Sequence, residues 1–258
     1  MKGLQRELEI AREIQMGFLP SELPTVTGWK IAAYFKAAHE VAGDFYDVFW
    51  LPGGHLACVI GDVCGKGVGA ALFMTLFRSL IRATATSAVS CSEKEMTSLT
   101  PAERLRHVIS FTNNYLVETH GETNMFATVF IGFFNLQTGA LTFINCGNEP
   151  PLVLGQGGVV TALWPTGPAV GVIPHATFTI KEIVMDRDDL LLAFTDGIPD
   201  ACNGEHDSFG RDRLLELLKE GDTTPAVLLK QIEERLHDFI GMADQFDDIT
   251  VLAVKKNS

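Results

Sequence analysis

Apolar residues change their spacing several times along the chain, and the changes divide it into blocks of helices and blocks of strands. A stripe with steps of three and four residues predicts a helix over residues 1–18, and it comprises Leu4, Leu8, Ala11, Ile14 and Phe18. Short runs rich in aromatic and β-branched residues predict strands over 31–38, 44–51, 55–63, 126–136, 140–146, 151–154, 159–163, 177–184, 189–194 and 248–255. Longer blocks with the helical period predict helices over 69–86, 101–120, 211–219 and 225–240.

Turn signals separate several of the predicted strands, and a small, polar segment at 87–100 predicts a loop. Thr100, with Pro101 after it and Glu103 three residues on, predicts a capped helix start. Consecutive hairpins imply antiparallel sheets, and apolar helix pairs need a surface on which to pack. The sequence therefore predicts an α/β (α+β) fold, an αββα sandwich of two mainly antiparallel sheets packed face to face with helices on both outer faces. The predicted hairpin turns are at 52–54, 137–139 and 156–158.

Acidic residues outnumber basic ones, with 32 Asp and Glu against 20 Lys and Arg among 258 residues, a formal net charge of −12. Such a charge repels phosphate backbones and anionic lipid, so we expect neither nucleic acid nor a membrane as partner. No window of about 18 apolar residues is found, and the charged N-terminus predicts no signal peptide. The five cysteines form no CxxC pair, which argues against a disulfide framework or a zinc cluster and indicates a cytoplasmic protein.

Candidate chemistry lies in acidic residues beside glycine at the ends of apolar strands. A carboxylate at a buried strand end is costly unless a cation or a hydrogen-bond donor compensates it. Oxygen ligands without His or Cys suit Mg²⁺ or Mn²⁺ rather than zinc. Each position alone is explained as an ordinary turn residue, but together they indicate a metal site where the strands converge. The positions are Gly43-Asp44, Gly61-Asp62, Asp196-Gly197 and Asp247-Asp248.

Other catalytic schemes fit the sequence less well. The glycine-rich segment 61–67 does not fit a phosphate-binding loop, which has four residues between its two glycines and Ser or Thr after its lysine. Here three residues separate Gly61 from Gly65, and Gly67 follows Lys66. No cysteine is followed six positions later by the arginine that a cysteine phosphatase requires, so Cys64 is interpreted as a packed side chain. Lys66 is interpreted as a solvated loop residue that could also touch a bound phosphate.

Seven motifs in a fixed order resemble the bacterial SpoIIE/RsbU-type serine phosphatases, a branch of the metal-dependent PPM protein phosphatases. The resemblance implies the same αββα sandwich, with residues 19–258 as the PPM-type phosphatase domain and residues 1–18 as an N-terminal linker or dimerisation helix. The motifs are REIQMGFLP at 12–20, VAGDFYDV at 41–48, IGDVCGKGVGAAL at 60–72, FATVFIGFFNLQTGALTFINCGNEPPLVL at 126–154, LLAFTDGIPDA at 191–201, FG at 209–210 and DDITVLAV at 247–254.

The resemblance also implies a catalytic site with two Mn²⁺ or Mg²⁺ ions. Asp62 would bridge the two ions, Asp44 and the Val63 carbonyl would bind the first, and Asp196 and Asp247 the second. Asp44, Asp62 and Asp196 are the catalytic candidates, and Asp248 replaces Asp247 if the register is off by one. The implied reaction is hydrolysis of phosphoserine or phosphothreonine on a regulatory protein by a hydroxide that bridges the metals.

The implied substrate is a phosphorylated anti-sigma-factor antagonist of the STAS type, with an upstream sensor domain and a homodimer through the N-terminal helix as further expectations. We hypothesise that this helix gates activity, and a truncation at Leu19 that changed neither oligomeric state nor rate would contradict it. The alternative is a catalytically silent regulatory binding module of the same fold. Three positions depart from the family pattern: Ala42 replaces glycine, Gly69 replaces proline and Asn148-Glu149 replaces His-Asn.

Overall fold

The computed structural model describes residues 2–86, 99–155, 158, 160–219 and 224–257. Most of the predicted loop at 87–100 and most of the predicted turn at 156–158 lie outside the described residues. The helices are α1 (Lys2–Met16), α2 (Val68–Thr86), α3 (Pro101–His120), α4 (Gly210–Leu218) and α5 (Pro225–Ile240), with one turn of 3₁₀ helix at Gly121–Thr123. The strands are β1 (Trp29–Lys36), β2 (Asp44–Trp50), β3 (Leu56–Val63), β4 (Ala127–Phe134), β5 (Ala140–Cys146), β6 (Leu152–Leu154), β7 (Val160–Ala162), β8 (Lys181–Val184), β9 (Leu190–Phe194) and β10 (Ile249–Lys256).

The strands form two five-stranded sheets in which every described pair of neighbours is antiparallel. The first sheet has the order β1-β10-β9-β6-β7, and the second has the order β2-β3-β4-β5-β8. Helices α2 and α3 cover the second sheet, whereas α5 packs on β1 and β10 of the first and against α4. The predicted αββα sandwich is therefore confirmed.

Three apolar layers hold the sandwich together. Val48, Ile60 and Leu252 are among the buried side chains that fill the space between the two sheets. A second layer joins the sheet of β2 to α2 and α3, and a third joins the sheet of β10 to α4 and α5. Strand β3 is buried on both faces, which explains its almost uninterrupted apolar sequence.

Helix boundaries follow the capping residues that the sequence provides. The Thr100 side chain accepts a hydrogen bond from the Glu103 N–H while the Glu103 carboxylate accepts one from the Thr100 N–H, so the predicted capping box is present. At the start of α5 the Thr224 side chain accepts a hydrogen bond from the Val227 N–H, and Pro225 is the first helical residue. Both helices have the bounds that the sequence predicts.

Helix α1 divides its apolar stripe between the domain and the surface. Leu8, Ala11 and Phe18 are half-buried, whereas the side chain of Ile14 is 61 % exposed. The one buried residue of the described side chains in this helix is polar, Gln15. The stripe is thus only partly covered by the protein's own domain.

Helix α2 corrects one expectation from the sequence. Over Val68–Thr86 it is long and apolar enough to cross a membrane when length and composition alone are considered. The expectation that no such window exists is therefore wrong. In the fold, α2 packs against β2, β3 and α3, with Met74, Phe77 and Ile81 buried, and a core helix of this kind passes the same test.

Candidate active site

Asp44 and Asp62 face each other across the first two strands of the second sheet. The register of the antiparallel pair β2–β3 places them directly opposite, so their side chains leave the same face of the sheet. Asp44 is 1 % exposed, and one of its oxygens, Oδ2, accepts hydrogen bonds from the Thr195 hydroxyl at 2.7 Å and the Thr250 hydroxyl at 2.6 Å. Since Thr250 lies in β10 and Thr195 directly follows β9, the carboxylate of Asp44 lies where the two sheets meet.

Asp196 and Asp247 come from the ends of neighbouring strands in the first sheet. Asp196 follows the last residue of β9 by two positions, and Asp247 precedes β10 by two positions. These chain segments pass so close together that a Cβ on Gly197 would overlap the Asp248 carbonyl group. Only glycine fits at this crossing, which explains the Asp-Gly pair at the end of β9.

The carboxylates raise one another's pKa. Burial, together with the negative charges of Asp196, Asp247 and Asp248, raises the pKa of Asp62 to about 7. Burial, the charge of Asp247 and then those of Asp200 and Glu149 raise the pKa of Asp196 to about 6. Burial and the nearby Asp62 raise the pKa of Asp44 well above its usual value, against the opposing effect of its two threonine donors. The four acidic positions predicted from the sequence therefore share one site.

Asp248 differs from its neighbour because backbone N–H groups from the segment before β2 bind its carboxylate. The N–H groups of Ala38 and Gly43 each donate to its carboxylate at 2.8 Å, and the Asp44 N–H approaches the same group at 3.5 Å. Asp248 is 8 % exposed, whereas the Asp247 side chain is 32 % exposed. Its greater exposure favours Asp247 over Asp248 as the residue accessible to a cation.

Val63 lies at the base of the site beside Gly43. The Val63 N–H donates to the Gly43 carbonyl at 3.3 Å, and a Cβ on Gly43 would stand 2.8 Å from the Val63 carbonyl oxygen. The same Cβ would lie 3.4 Å from Asp62 Oδ1. The backbone oxygen of Val63 and the carboxylate of Asp62 therefore both lie close to Gly43.

Lys66 contacts one of the predicted site residues, Asp247, which the sequence does not indicate. Its ammonium group lies 3.0 Å from Asp247 Oδ2, donates to the Phe246 carbonyl at 2.7 Å and stands 4.5 Å from the centre of the Phe246 ring. Lys66 is an exposed loop residue, as the sequence predicts, but it also forms an ion pair with Asp247. No sequence signal marks this pair, because Lys66 and Asp247 are brought together only by the packing of the two sheets.

Glu149 and Asp200 also lie beside Asp196, since their negative charges raise its pKa. Glu149 is paired with Arg211 at 3.7 Å. Its neighbour Asn148 is buried and donates to the carbonyls of Glu149 and Phe194, which ties this loop to the end of β9. The departure from the family pattern at Asn148-Glu149 thus affects the surroundings of Asp196 and removes none of the four predicted carboxylates.

The donor set fits hard divalent cations. Among the residues that the structure describes, no three His, Cys, Asp or Glu side chains are gathered tightly enough to form a ready coordination shell. The site nevertheless concentrates carboxylates that repel one another, and the positive charge of Lys66 offsets this only in part by lowering the pKa of Asp196. A divalent cation would relieve that repulsion, and oxygen-only donors match Mg²⁺ or Mn²⁺.

Comparison with known proteins relates this chain to one family model and to two bacterial proteins. The family model described as stage II sporulation protein E (SpoIIE) matches residues 52–257. Protein IcfG of Synechocystis sp. is 41 % identical over 99 % of this chain, which spans only 42 % of IcfG. The phosphoserine phosphatase RsbU of Bacillus subtilis is 23 % identical over 99 % of this chain and 73 % of its own length.

The fold of the domain is shared with a solved bacterial structure. The PP2C domain of SiaA from Pseudomonas aeruginosa superposes with a TM-score of 0.80, covering 98 % of this chain and 97 % of that one at 20 % identity. The antiparallel sandwich is thus a PP2C-type fold, and the family model covers well over half of the sequence. On these grounds the chain belongs to the SpoIIE family of PPM-type serine phosphatases.

Proposed function

We propose that this chain is a metal-dependent protein serine/threonine phosphatase that hydrolyses phosphoserine or phosphothreonine on a regulatory protein. The observation that carries the proposal is the convergence of Asp44, Asp62, Asp196 and Asp247 from both sheets, where their charges and burial raise the pKa of three of them. Such an arrangement is costly to the fold and is typical of a site that binds cations for catalysis.

Two divalent ions would be held by carboxylate oxygens and one backbone oxygen near Gly43 and Gly197. We assign Asp44 and the Val63 carbonyl to one ion, Asp196 and Asp247 to the other, and Asp62 to both. When bound, Mn²⁺ or Mg²⁺ would polarise the phosphoryl group and lower the pKa of water. No nucleophilic side chain is needed, which agrees with a site made of carboxylates.

The protein's own residues set the orientation of this donor set. Thr195 and Thr250 bind one oxygen of Asp44, so its other oxygen is directed away from them. Lys66 neutralises part of the charge on Asp247 and, with 45 % of its side chain exposed, can be reached by a ligand. We propose that the ammonium group of Lys66 also helps to bind the substrate phosphate.

The protein substrate is proposed from the relatives. RsbU is a phosphoserine phosphatase, and this chain matches most of its length. We therefore propose a phosphorylated STAS-type anti-sigma-factor antagonist as the substrate. Since the chain spans less than half of IcfG, we also propose that a sensor domain acts with this domain in regulation.

Hydrolysis of p-nitrophenyl phosphate tests the proposal directly. Turnover is expected with MnCl₂, none with EDTA, and a loss of at least about a hundred-fold in Asp62→Asn, because that substitution removes the carboxylate shared by both ions. Asp212→Asn is the matched control, since Asp212 is an exposed residue of α4. Folded wild-type protein without turnover in any divalent ion would contradict the proposal and favour a silent binding module.

A further inference from the structure

The side chain of Gln15 is buried at the end of an otherwise exposed helix. Gln15 is 4 % exposed, whereas its neighbours Glu13, Ile14 and Met16 in α1 are exposed. A buried amide is costly unless all of its polar groups find partners. Gln15 meets this requirement with one residue: its Nε2 donates to the Ala42 carbonyl at 2.7 Å, and its Oε1 accepts from the Ala42 N–H at 2.9 Å.

This paired contact fixes the chain just before the metal-binding strand. Ala42 is fully buried, and Gly43 and Asp44 follow it directly. Gly43 is held by other groups, because its N–H donates to Asp248 at 2.8 Å and its carbonyl accepts from the Val63 N–H at 3.3 Å. The segment from Ala42 to Asp44 is thus held by α1, by Asp248 and by Val63.

The segment has little freedom to shift without disturbing the proposed ligands. No Cβ fits at Gly43, where Val63 O, Asp62 Oδ1 and the Ala70 side chain all approach closely. Any displacement of Ala42 would therefore move Gly43 against the Val63 carbonyl or change the position of the Asp44 carboxylate. Both groups are assigned to the same ion in the proposed function.

We propose that Gln15 is a positioning residue for the metal site: through its two hydrogen bonds to Ala42, the end of α1 sets the place of Asp44 relative to Asp62 and Val63. The inference rests on the proposed function, since it concerns the affinity of that site for divalent cations. Gln15 touches neither ion nor substrate, and it acts through the backbone of Ala42. Partners that orient metal ligands commonly change metal affinity by roughly ten- to a hundred-fold when they are removed.

The test compares Mn²⁺ binding, measured by isothermal titration calorimetry, between variants of the same helix. Gln15→Leu removes both hydrogen bonds and keeps the bulk, and Gln15→Glu keeps the acceptor for the Ala42 N–H. Gln5→Leu is the control, because Gln5 is exposed and has only a 3.5 Å contact with Glu40. We expect the dissociation constant for Mn²⁺ to rise about ten-fold in Gln15→Leu, less in Gln15→Glu, and not at all in Gln5→Leu.

A second measurement separates positioning from simple anchoring of the helix. The melting temperature of each variant in EDTA reports the loss of stability alone. A lower melting temperature in Gln15→Leu with an unchanged Mn²⁺ dissociation constant would overturn the inference, because Gln15 would then only anchor α1. Should Gln15→Leu fail to fold, the same criterion applies to Gln15→Glu.

The outcome for the wild type distinguishes this inference from the proposed function. Wild-type protein that binds Mn²⁺ without hydrolysing p-nitrophenyl phosphate would contradict the phosphatase activity, and the effect of Gln15→Leu on Mn²⁺ affinity would still test the positioning role. Wild-type protein that binds no Mn²⁺ would overturn both.

Discussion

Asp247 and Asp248 are neighbours in sequence with opposite roles in the structure. Asp248 binds the N–H groups of Ala38 and Gly43 and is buried, so its charge stabilises the backbone around the site. Asp247 is more exposed, contacts Lys66 and adds to the charge that raises the pKa of Asp62 and Asp196. The pair therefore combines a buried residue that holds the backbone with a more exposed one that a cation can reach.

Substitution of the two residues should separate stability from metal binding. Asp248→Ala leaves two buried N–H donors without a partner, so we expect the free energy of unfolding to fall by about 2–4 kcal/mol. Asp247→Asn should leave metal-free stability nearly unchanged, because it removes a repulsive charge, while lowering Mn²⁺-dependent turnover at least about ten-fold. Urea titration in EDTA and p-nitrophenyl phosphate assays measure these effects, and the reverse pattern would assign the ligand to Asp248.

Local sequence contained enough information to predict the acidic residues but not all of their neighbours. Asp44, Asp62 and Asp196 were recognisable because each adjoins glycine at the end of an apolar run. Lys66 and Glu149 were not, since their relation to the site depends on how loops from separate strands pack. A lysine in a glycine-rich loop has the same local pattern whether it is solvated or paired with a carboxylate.

At the scale of elements, one buried carboxylate fastens α2 to β2. Asp47 is almost completely buried and lies 2.9 Å from both Arg78 Nε and Arg82 Nη1, while the Arg82 guanidinium also stacks on the Phe49 ring. Both arginines belong to α2, which begins directly after the loop that follows Val63 and carries Lys66. The position of that loop therefore depends on the contact between helix and strand.

Removal of Asp47 should be far more damaging than removal of an exposed ion pair. Asp47→Ala leaves two partly buried guanidinium groups without their carboxylate, and we expect a loss of about 3–5 kcal/mol in the free energy of unfolding. Lys230→Ala is the matched control, because the Lys230–Glu234 pair is exposed on α5 and contributes about 0.5 kcal/mol or less. Equal losses in urea titrations of the two variants would show that the contact of Asp47 with α2 is not important for stability.

The apolar pattern predicted the elements better than it predicted their pairing. Helices α3 and α5 begin and end where the sequence predicts, because threonine caps and prolines define their starts. Strand β8 is shorter than predicted, since only Lys181–Val184 pairs with β5. The pairing of β1 with β10 joins opposite ends of the domain, and no local periodicity contains that information.

At the scale of the whole molecule, the carboxylate site opposes the stability of the metal-free fold. Both sheets contribute residues to it, and their docking brings like charges together in a partly buried place. Cations that bind the folded state alone would stabilise it in proportion to their occupancy of the site. The same repulsion makes metal-free stability dependent on pH.

Metal-free protein should become less stable as the pH rises from 5 to 8. The pKa of Asp62, about 7, and that of Asp196, about 6, exceed the usual aspartate value, so the folded state binds more protons than the unfolded state between about pH 4 and 7. Stability consequently falls as the pH rises through this window. Melting temperatures measured in EDTA should decrease across it, and MnCl₂ should raise them most at pH 8, where the carboxylates are ionised. A melting temperature in EDTA that rises towards pH 8 would contradict this account.

The position of β10 inside the first sheet has a consequence for how the protein is made. β10 lies between β1 and β9, although it is the last of the described strands in the chain. At roughly 5–20 residues per second, the ribosome needs several seconds to synthesise the chain between β9 and β10. Throughout that time β1 and β9 have open edges of the kind that other chains can pair with. Asp247 also emerges late, so a nascent chain can neither complete its first sheet nor assemble the full carboxylate site until translation has passed residue 256.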